Sequence, residues 1–318
     1  MSTIKWGVLG YGNIAKRFIK SLSHSQQGTL QAIASQSQFE ILKQSFPDLS
    51  VYANYNELLA DPEIDVVYIA LPHYDHYRYS KEVLLAQKGV FTEKPAALYP
   101  AQVQELLNLS HSTRVFFGEA LKTRYSPALH HLQAEINHGL IGPVQFIYVN
   151  FCDDFSHLPK SKYFFDPKQG GALWDLGSYP LGFISFFNQS NLERVDVKQV
   201  MENGIDRTTN ATLYFEDQMK AHLEVSTTHI ETRTAFIKGS EGFVYLDNAN
   251  RPTSYSVVHG SETKTYEFPL LVDDLFQEIE AVHQALKAGL IETPEFPHQE
   301  ILRVSQYLET IRQANQEK

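Results

Sequence analysis

The chain of 318 residues carries 27 Lys and Arg against 37 Asp and Glu, a formal charge of −10. It has no basic block, so nucleic acid and anionic membrane are poor partners for it. Its single cysteine, Cys152, excludes an internal disulfide and a thiolate-rich metal site. The length exceeds one typical core and predicts two domains. A strand pattern beginning at Ile4 leaves no room for a signal peptide, and no apolar run of membrane-spanning length follows. A soluble cytoplasmic protein is therefore expected.

Residues 4–9 read as a strand, and Gly10-Tyr11-Gly12-Asn13-Ile14-Ala15 follows directly. A helical pattern then carries Ile14, Phe18, Ile19 and Leu22 on one face. Gly10 permits a tight turn, Gly12 lets a pyrophosphate approach the backbone, and Ala15 allows close helix–strand packing. The helix start, with Asn13 and Ile14, would then receive the phosphates of a dinucleotide. A second strand over 29–35 puts the ribose contact at Ser35-Gln36-Ser37, where an NAD site usually places an acid. Neither that acid nor an arginine for a 2′-phosphate is present, and the reading leans to NADP over NAD.

A short helix over 55–60 ends at Asp61-Pro62, and a buried strand over 65–70 runs into Leu71-Pro72-His73. After a helix over 75–87, Val90-Phe91-Thr92-Glu93-Lys94-Pro95 reads as a short buried strand ending in a charged pair. Glu93 and Lys94 stand at its carboxyl edge, where open α/β sheets bind ligands. Pro95 biases Lys94 to an extended conformation. The βαβ alternation, sustained over about 95 residues, predicts a doubly wound parallel sheet. Leu71, Pro72, His73 and His76 are candidates for a cofactor shelf, although the two histidines would equally suit a helix start. No metal site is expected.

A helix over 100–111 and a last strand over 114–119 bring the chain to a boundary near Lys122, giving domains 1–122 and 123–318. Pro127 opens a helix at its first position. Beyond it, 144–151 alternates, strands crowd 195–268, and helices over 273–288 and 298–314 close the chain. That pattern is an antiparallel-rich α+β domain. Its open sheet has no obvious helices for both faces, which predicts a homodimer or a dimer of dimers. Within it, Gly170-Gly171-Ala172-Leu173-Trp174-Asp175-Leu176-Gly177-Ser178-Tyr179 stands out. If helical, Asp175 and Tyr179 share a face, and the small residues at 170, 171 and 177 let a ligand or backbone come close. The same pattern would also suit a helix start with core aromatics.

These pieces together resemble the glucose–fructose oxidoreductase / inositol dehydrogenase / rhizopine catabolism (Gfo/Idh/MocA) family. The residues that carry it are Gly10–Ala15, Ala70–His76, Glu93-Lys94-Pro95, Gly170–Tyr179, Glu119–Pro127 and the tail from Glu278 to Arg312. The resemblance covers essentially the whole chain. It implies a Rossmann domain, then a C-terminal domain whose open sheet often serves dimerisation. It also implies a nicotinamide cofactor and oxidation of a hydroxyl, or reduction of a carbonyl, on a sugar, polyol or diol.

Lys94 matches the lysine of the family's Glu-Lys-Pro motif, and Asp175 the acid of its Gly-Gly…Asp-x-Gly-x-His motif. Tyr179 stands where many members have histidine, as in the dimeric dihydrodiol dehydrogenase branch, where a tyrosine–lysine pair is thought to handle the proton. Arg124, Tyr163 and Trp174 are candidate substrate contacts. Tyr163 replaces a frequent arginine and His73 a common asparagine, departures that bear on substrate identity more than on reaction type.

An ammonium within about 4–6 Å of a phenol favours the phenolate. Tyr179 is thus expected as acid/base, Lys94 as its electrostatic partner and Asp175 as orienter of the substrate hydroxyl, with the tyrosine and lysine roles open to reversal. The rival readings are a non-catalytic NAD(P)-binding redox sensor and a biliverdin-reductase-like reductase. A sensor has no need of Lys94, Asp175 and Tyr179 together.

Overall fold

The computed structural model describes residues 3–314. The chain divides into two compact units: the described residues up to Lys122 with Leu271–Leu302, and Thr123–Leu270 with the residues from Arg303 onward. The segment 271–302 thus packs with the first unit, a return that a continuous second domain over 123–318 did not include.

The first unit runs β1 (Ile4–Leu9), α1 (Asn13–Leu22), β2 (Gly28–Ala34), α2 (Phe39–Ser45), β3 (Ser50–Tyr52) and α3 (Tyr55–Ala60). It continues with β4 (Val66–Ile69), α4 (His73–Leu85), β5 (Gly89–Glu93), α5 (Pro100–Thr113) and β6 (Phe117–Ala120). The strands form one parallel sheet in the order β3-β2-β1-β4-β5-β6, the doubly wound arrangement. β4 and β5 are buried along their whole length, as strands covered on both faces must be. The Phe18 ring of α1 stacks on Tyr68 of β4 at 3.7 Å, and Trp6 meets Phe18 edge-on at 5.1 Å. Trp6→Ala would cost about 3–5 kcal/mol.

The return segment is tied down by side chains that a strand pattern does not reveal. It contains α9, over Phe276–Lys287. Trp6 Nε1 donates to His283 Nε2 at 2.8 Å, leaving His283 Nδ1 to donate to Glu280 at 3.1 Å. Burial lowers the His283 pKa, which suits this neutral, one-donor ring. Ser21 of α1 donates to Asp273 at 2.8 Å.

The second unit contains α6 (Pro127–Asn137), β7 (Val144–Cys152), α7 (Ala172–Leu176), α8 (Ser178–Phe187), β8 (Leu192–Glu202), β9 (Ile205–Phe215) and β10 (Lys220–Ser226). Strands β11 (Ala235–Gly239), β12 (Phe243–Leu246), β13 (Ser254–His259) and β14 (Glu262–Glu267) follow. Helix α10, over His298–Ala314, begins in the first unit and enters the second. The eight strands are ordered β14-β13-β12-β11-β7-β10-β9-β8, antiparallel except where β7 meets β10.

Alternation decides which face is covered. Ile147, Val149, Phe151, Leu213, Leu223 and Val225 are buried on the face that meets α7 and α8. The other face carries Tyr148, stacked on His222 at 6.0 Å, and Phe236 against Phe243 at 5.2 Å. Phe243 is 37% exposed there and Tyr245 39%.

Candidate functional site

In the first unit the expected cofactor residues gather at the carboxyl edge of the parallel sheet. Gly10 has φ +89°, and a Cβ there would press into the Ala70 carbonyl oxygen. Its N–H donates to the Ala34 carbonyl at 2.9 Å, so this glycine is required by the turn itself. Gly12 is different: its φ of −78° suits any residue, and a Cβ would meet nothing within 4 Å. The space above Gly12 is therefore free of protein atoms. Helix α1 begins at Asn13 and Ile14 with no side-chain cap and no acid in its first turn, leaving its amides available to an anion. Ser35 is buried and donates its N–H to Tyr52, while Gln36 and Ser37 are exposed on the turn beyond β2. Leu71 and Pro72, both half-buried, lie between β4 and α4.

The tip of β5 is braced from behind. Tyr68 donates its hydroxyl to one oxygen of Glu93, and the Lys94 N–H reaches the other at 3.3 Å. The Lys94–Pro95 peptide is cis, and Lys94 itself is half-buried. His76 is fully buried, with Nδ1 2.7 Å from the Pro95 carbonyl and Nε2 2.8 Å from the Leu71 carbonyl. Burial, then the neighbouring His73, hold its pKa at about 4. A neutral ring donates through only one nitrogen, so one of these contacts is its hydrogen bond and the other a close approach. His76 thus ties the end of β4 to the turn after Lys94. His73, also buried, begins α4 and meets the His76 ring edge-on at 5.7 Å.

Two further acids lie in this unit that the sequence motifs did not single out as site residues. Glu119, on β6, is pushed up to about 8, chiefly by burial; the Ala96 amide and Lys94 oppose the shift and Glu93 adds to it. Glu278, on α9, is fully buried, and neither carboxylate oxygen finds a hydrogen-bond partner among the described residues. Burial and then the charge of Glu93 raise its pKa well above the ordinary range. Lys122 pairs with Asp274 beside them. The strand tip therefore rests beside a buried set of acids whose pKa values burial raises.

In the second unit, Asp175 and Tyr179 stand on α7 and α8. Gly177 between them is itself helical, and the hydrogen bonds from Gly177 to Leu173 and from Leu181 to Gly177 carry the turn through. The two side chains are four residues apart on one helical run, as expected. Asp175 is buried; Tyr179 is half-buried and stacks on Phe151 of β7 at 5.0 Å, nearly parallel.

The glycines before this run are required by the protein's own packing. A Cβ at Gly171, whose φ is +109°, would strike the Asp206 carboxylate, and one at Gly170 would strike the Phe164 carbonyl. Asp206 accepts from the Leu173 N–H at 2.8 Å and from the Thr209 hydroxyl at 2.6 Å. It caps the helix that presents Asp175 from 33 positions downstream, a role no local pattern could signal.

The three candidate substrate residues fare differently. Arg124 is buried and donates to the Gly182 carbonyl and the Ser185 hydroxyl, with its guanidinium 4.4 Å from the Phe186 ring. It braces α8. Tyr163 lies in a short 3₁₀ turn, its ring 4.1 Å from that of Phe164. Trp174 lines an open groove with Leu173, Gln199, Met201, Asp206 and Arg312.

Comparison with known proteins agrees with this construction. Residues 4–120 match the oxidoreductase family with NAD-binding Rossmann fold (GFO/IDH/MocA), and residues 129–245 match the GFO/IDH/MocA C-terminal domain. The chain is 31% identical to the trans-1,2-dihydrobenzene-1,2-diol dehydrogenase of Mus musculus over 98% of this chain and 96% of that one. It is 28% identical to the Homo sapiens enzyme of the same name, with the same two coverages. Among solved structures, the aldose-aldose oxidoreductase of Caulobacter crescentus superposes with a TM-score of 0.89 at 16% identity, covering 99% of this chain and 98% of that one. KijD10, a 3-ketoreductase from Actinomadura kijaniata in complex with NADP and TDP-benzene, gives 0.87 at 22% identity, covering 98% of each; these two likenesses speak for the fold. The chain belongs to the GFO/IDH/MocA oxidoreductase family and is an NAD(P)-dependent oxidoreductase.

Proposed function

We propose that this oxidoreductase acts on the hydroxyl-bearing carbon of a diol, polyol or sugar, with NADP favoured over NAD. The observation that carries the substrate class is similarity to dihydrodiol dehydrogenases along 98% of the chain. The NADP preference rests on the turn after β2, where Ser35-Gln36-Ser37 offers no carboxylate to accept from a 2′-hydroxyl or to repel a 2′-phosphate. The nicotinamide, when bound, supplies the hydride acceptor.

The chain's own residues manage the proton. Tyr179 takes it from the substrate hydroxyl during oxidation and returns it during reduction. Lys94 stabilises the phenolate and the charge that develops on the substrate oxygen, and Asp175 accepts a hydrogen bond from the hydroxyl to orient it. The bracing of Lys94 by Glu93 and His76, and of Asp175 by Asp206, supports this assignment, because a positioned acid–base group needs a rigid mount. The apolar patch around Phe236, Phe243 and Tyr245 fits a homodimer or a dimer of dimers.

The test is turnover with NADP⁺ and NAD⁺ against a panel of vicinal diols, polyols and aldoses, followed by absorbance of the reduced cofactor. Saturable oxidation of at least one diol or sugar, with higher kcat/KM for NADP⁺, is expected. Activity confined to imines or conjugated double bonds would replace this reading with the reductase one.

A further inference from the structure

On the face of β7 opposite Tyr179, Cys152, His229 and Glu231 place a thiol sulfur, an imidazole nitrogen and a carboxylate oxygen within 4.8 Å of one another. Successive strand residues point to opposite faces. Phe151 meets Tyr179 on one face, and Cys152 therefore faces the other, beside Ser226 of β10 in the register of the sheet.

Two of the three donors are already oriented. His229 Nδ1 is 3.1 Å from the Ser226 hydroxyl and 3.3 Å from that of Thr228. Its Nε2 faces Glu231 Oε1 at 3.5 Å and Glu224 Oε1 at 3.9 Å. Glu231 Oε2 accepts from the Asn150 amide at 2.9 Å, and Asn150 in turn accepts from the Thr234 N–H at 2.7 Å. Each of these two side chains thus has one polar atom anchored and the other directed at a common point, the way metal ligands are held by their neighbours. Donors around a tetrahedral zinc stand about 3.5 Å apart, a closure that rotamer adjustment of half-exposed His229 and Glu231 supplies. That exposure also gives an ion its path in.

We propose that Cys152, His229 and Glu231 bind one divalent cation of the zinc class, with the fourth position left to solvent. Thiolate, imidazole and carboxylate together suit a borderline-soft metal and not magnesium or calcium. The single cysteine, which excluded a thiolate-rich site, provides the one sulfur this donor set needs. On binding, the Cys152 thiol gives its proton to solvent and its sulfur forms the metal bond, pinning the segment after β10 to the end of β7.

Chelator-treated full-length protein titrated with Co²⁺ tests this. One Co²⁺ per chain should bind with a near-ultraviolet sulfur-to-cobalt charge-transfer band that Zn²⁺ bleaches, with release of about one proton. Cys152→Ser should abolish the band. His229→Ala and Glu231→Gln, both on half-exposed positions that should fold, should weaken Co²⁺ binding at least tenfold, and Asn150→Ala about tenfold or more. Oxidoreductase turnover of His229→Ala should be unchanged. Absence of the band, unsaturable binding, or undiminished affinity in His229→Ala would overturn the proposal.

Discussion

Two glycines two residues apart should respond to substitution in opposite ways. Gly12 has an ordinary extended backbone, and a Cβ there meets no atom within 4 Å. Gly12→Val therefore loses only the preference of a helix N-cap for glycine over a β-branched residue, about 0.5–1 kcal/mol. Its methyl groups fill the clearance through which phosphates would reach the amides of α1. Hydrogen bonds to a charged group are worth about 1.5–3 kcal/mol each. Losing two weakens NADP⁺ binding by about 3–6 kcal/mol, or roughly 10²–10⁴-fold. Gly10→Ala should show the reverse order of effects. Positive φ and the collision with the Ala70 carbonyl should cost about 2–4 kcal/mol of fold stability. Titration calorimetry with NADP⁺ and NAD⁺, beside urea melts of both variants, reads the two quantities separately. A Gly12→Val protein that binds within threefold of wild type, or that unfolds as readily as Gly10→Ala, would refute the reasoning.

Burial raises the folded-state pKa of Glu119 from 4.5 to about 8, so the folded protein holds a proton there that the unfolded chain releases. Its contribution to stability is complete below pH 4.5 and is lost as pH rises to 8, a span worth up to about 5 kcal/mol. Glu119→Gln should gain stability relative to wild type by a few kcal/mol between pH 5 and pH 8 in urea melts, and a pH-independent difference would contradict this. Asp206→Ala removes the cap of α7 and opens a space at Gly171. It should cost about 1–2 kcal/mol and lower kcat more than it changes the affinity for NADP⁺, read by stopped-time kinetics and calorimetry; an equal loss in both would detach Asp206 from the positioning of Asp175. Light scattering at micromolar concentration should give at least twice 36.3 kDa, and a particle of that mass alone would count against the interface role of Phe243 and Tyr245.

The parallel sheet was legible because β1, β4 and β5 are short apolar runs ending in glycine or proline turns, and their burial follows from composition alone. The segment of α2 and β3 was not: Ile41 points out at 61% exposure, and three-residue β3 is too short for any period to register. The return of 271–302 to the first unit depends on partners such as Trp6–His283 and Ser21–Asp273, which lie more than 250 positions apart.

The candidate reactive groups were named from the sequence, and their mounts were not. Lys94, Asp175 and Tyr179 sit in local motifs. Asp206, Glu278 and the double-sided role of His76 exist only once distant strands and helices are packed, and the same holds for the bracing of α8 by Arg124. Gly170 and Gly171 show the ambiguity directly, since the space they leave belongs to Phe164 and Asp206.

The central claim is that Tyr179 and Lys94 handle one proton as a unit. Its most direct measurement is kcat against pH for wild type, Tyr179→Phe, Lys94→Ala and the double variant, on the best substrate of the panel. General acid–base catalysis supplies about 10²–10⁴-fold, so each single variant should lose turnover on that order while NADP⁺ still binds, and the double variant should be little worse than the poorer single one. Wild-type oxidation should rise with pH through an apparent pKa below about 10, the value of a free phenol, and that limb should vanish in Tyr179→Phe. A Tyr179→Phe enzyme with wild-type turnover and an unchanged profile, or two single losses that simply multiply, would contradict the account.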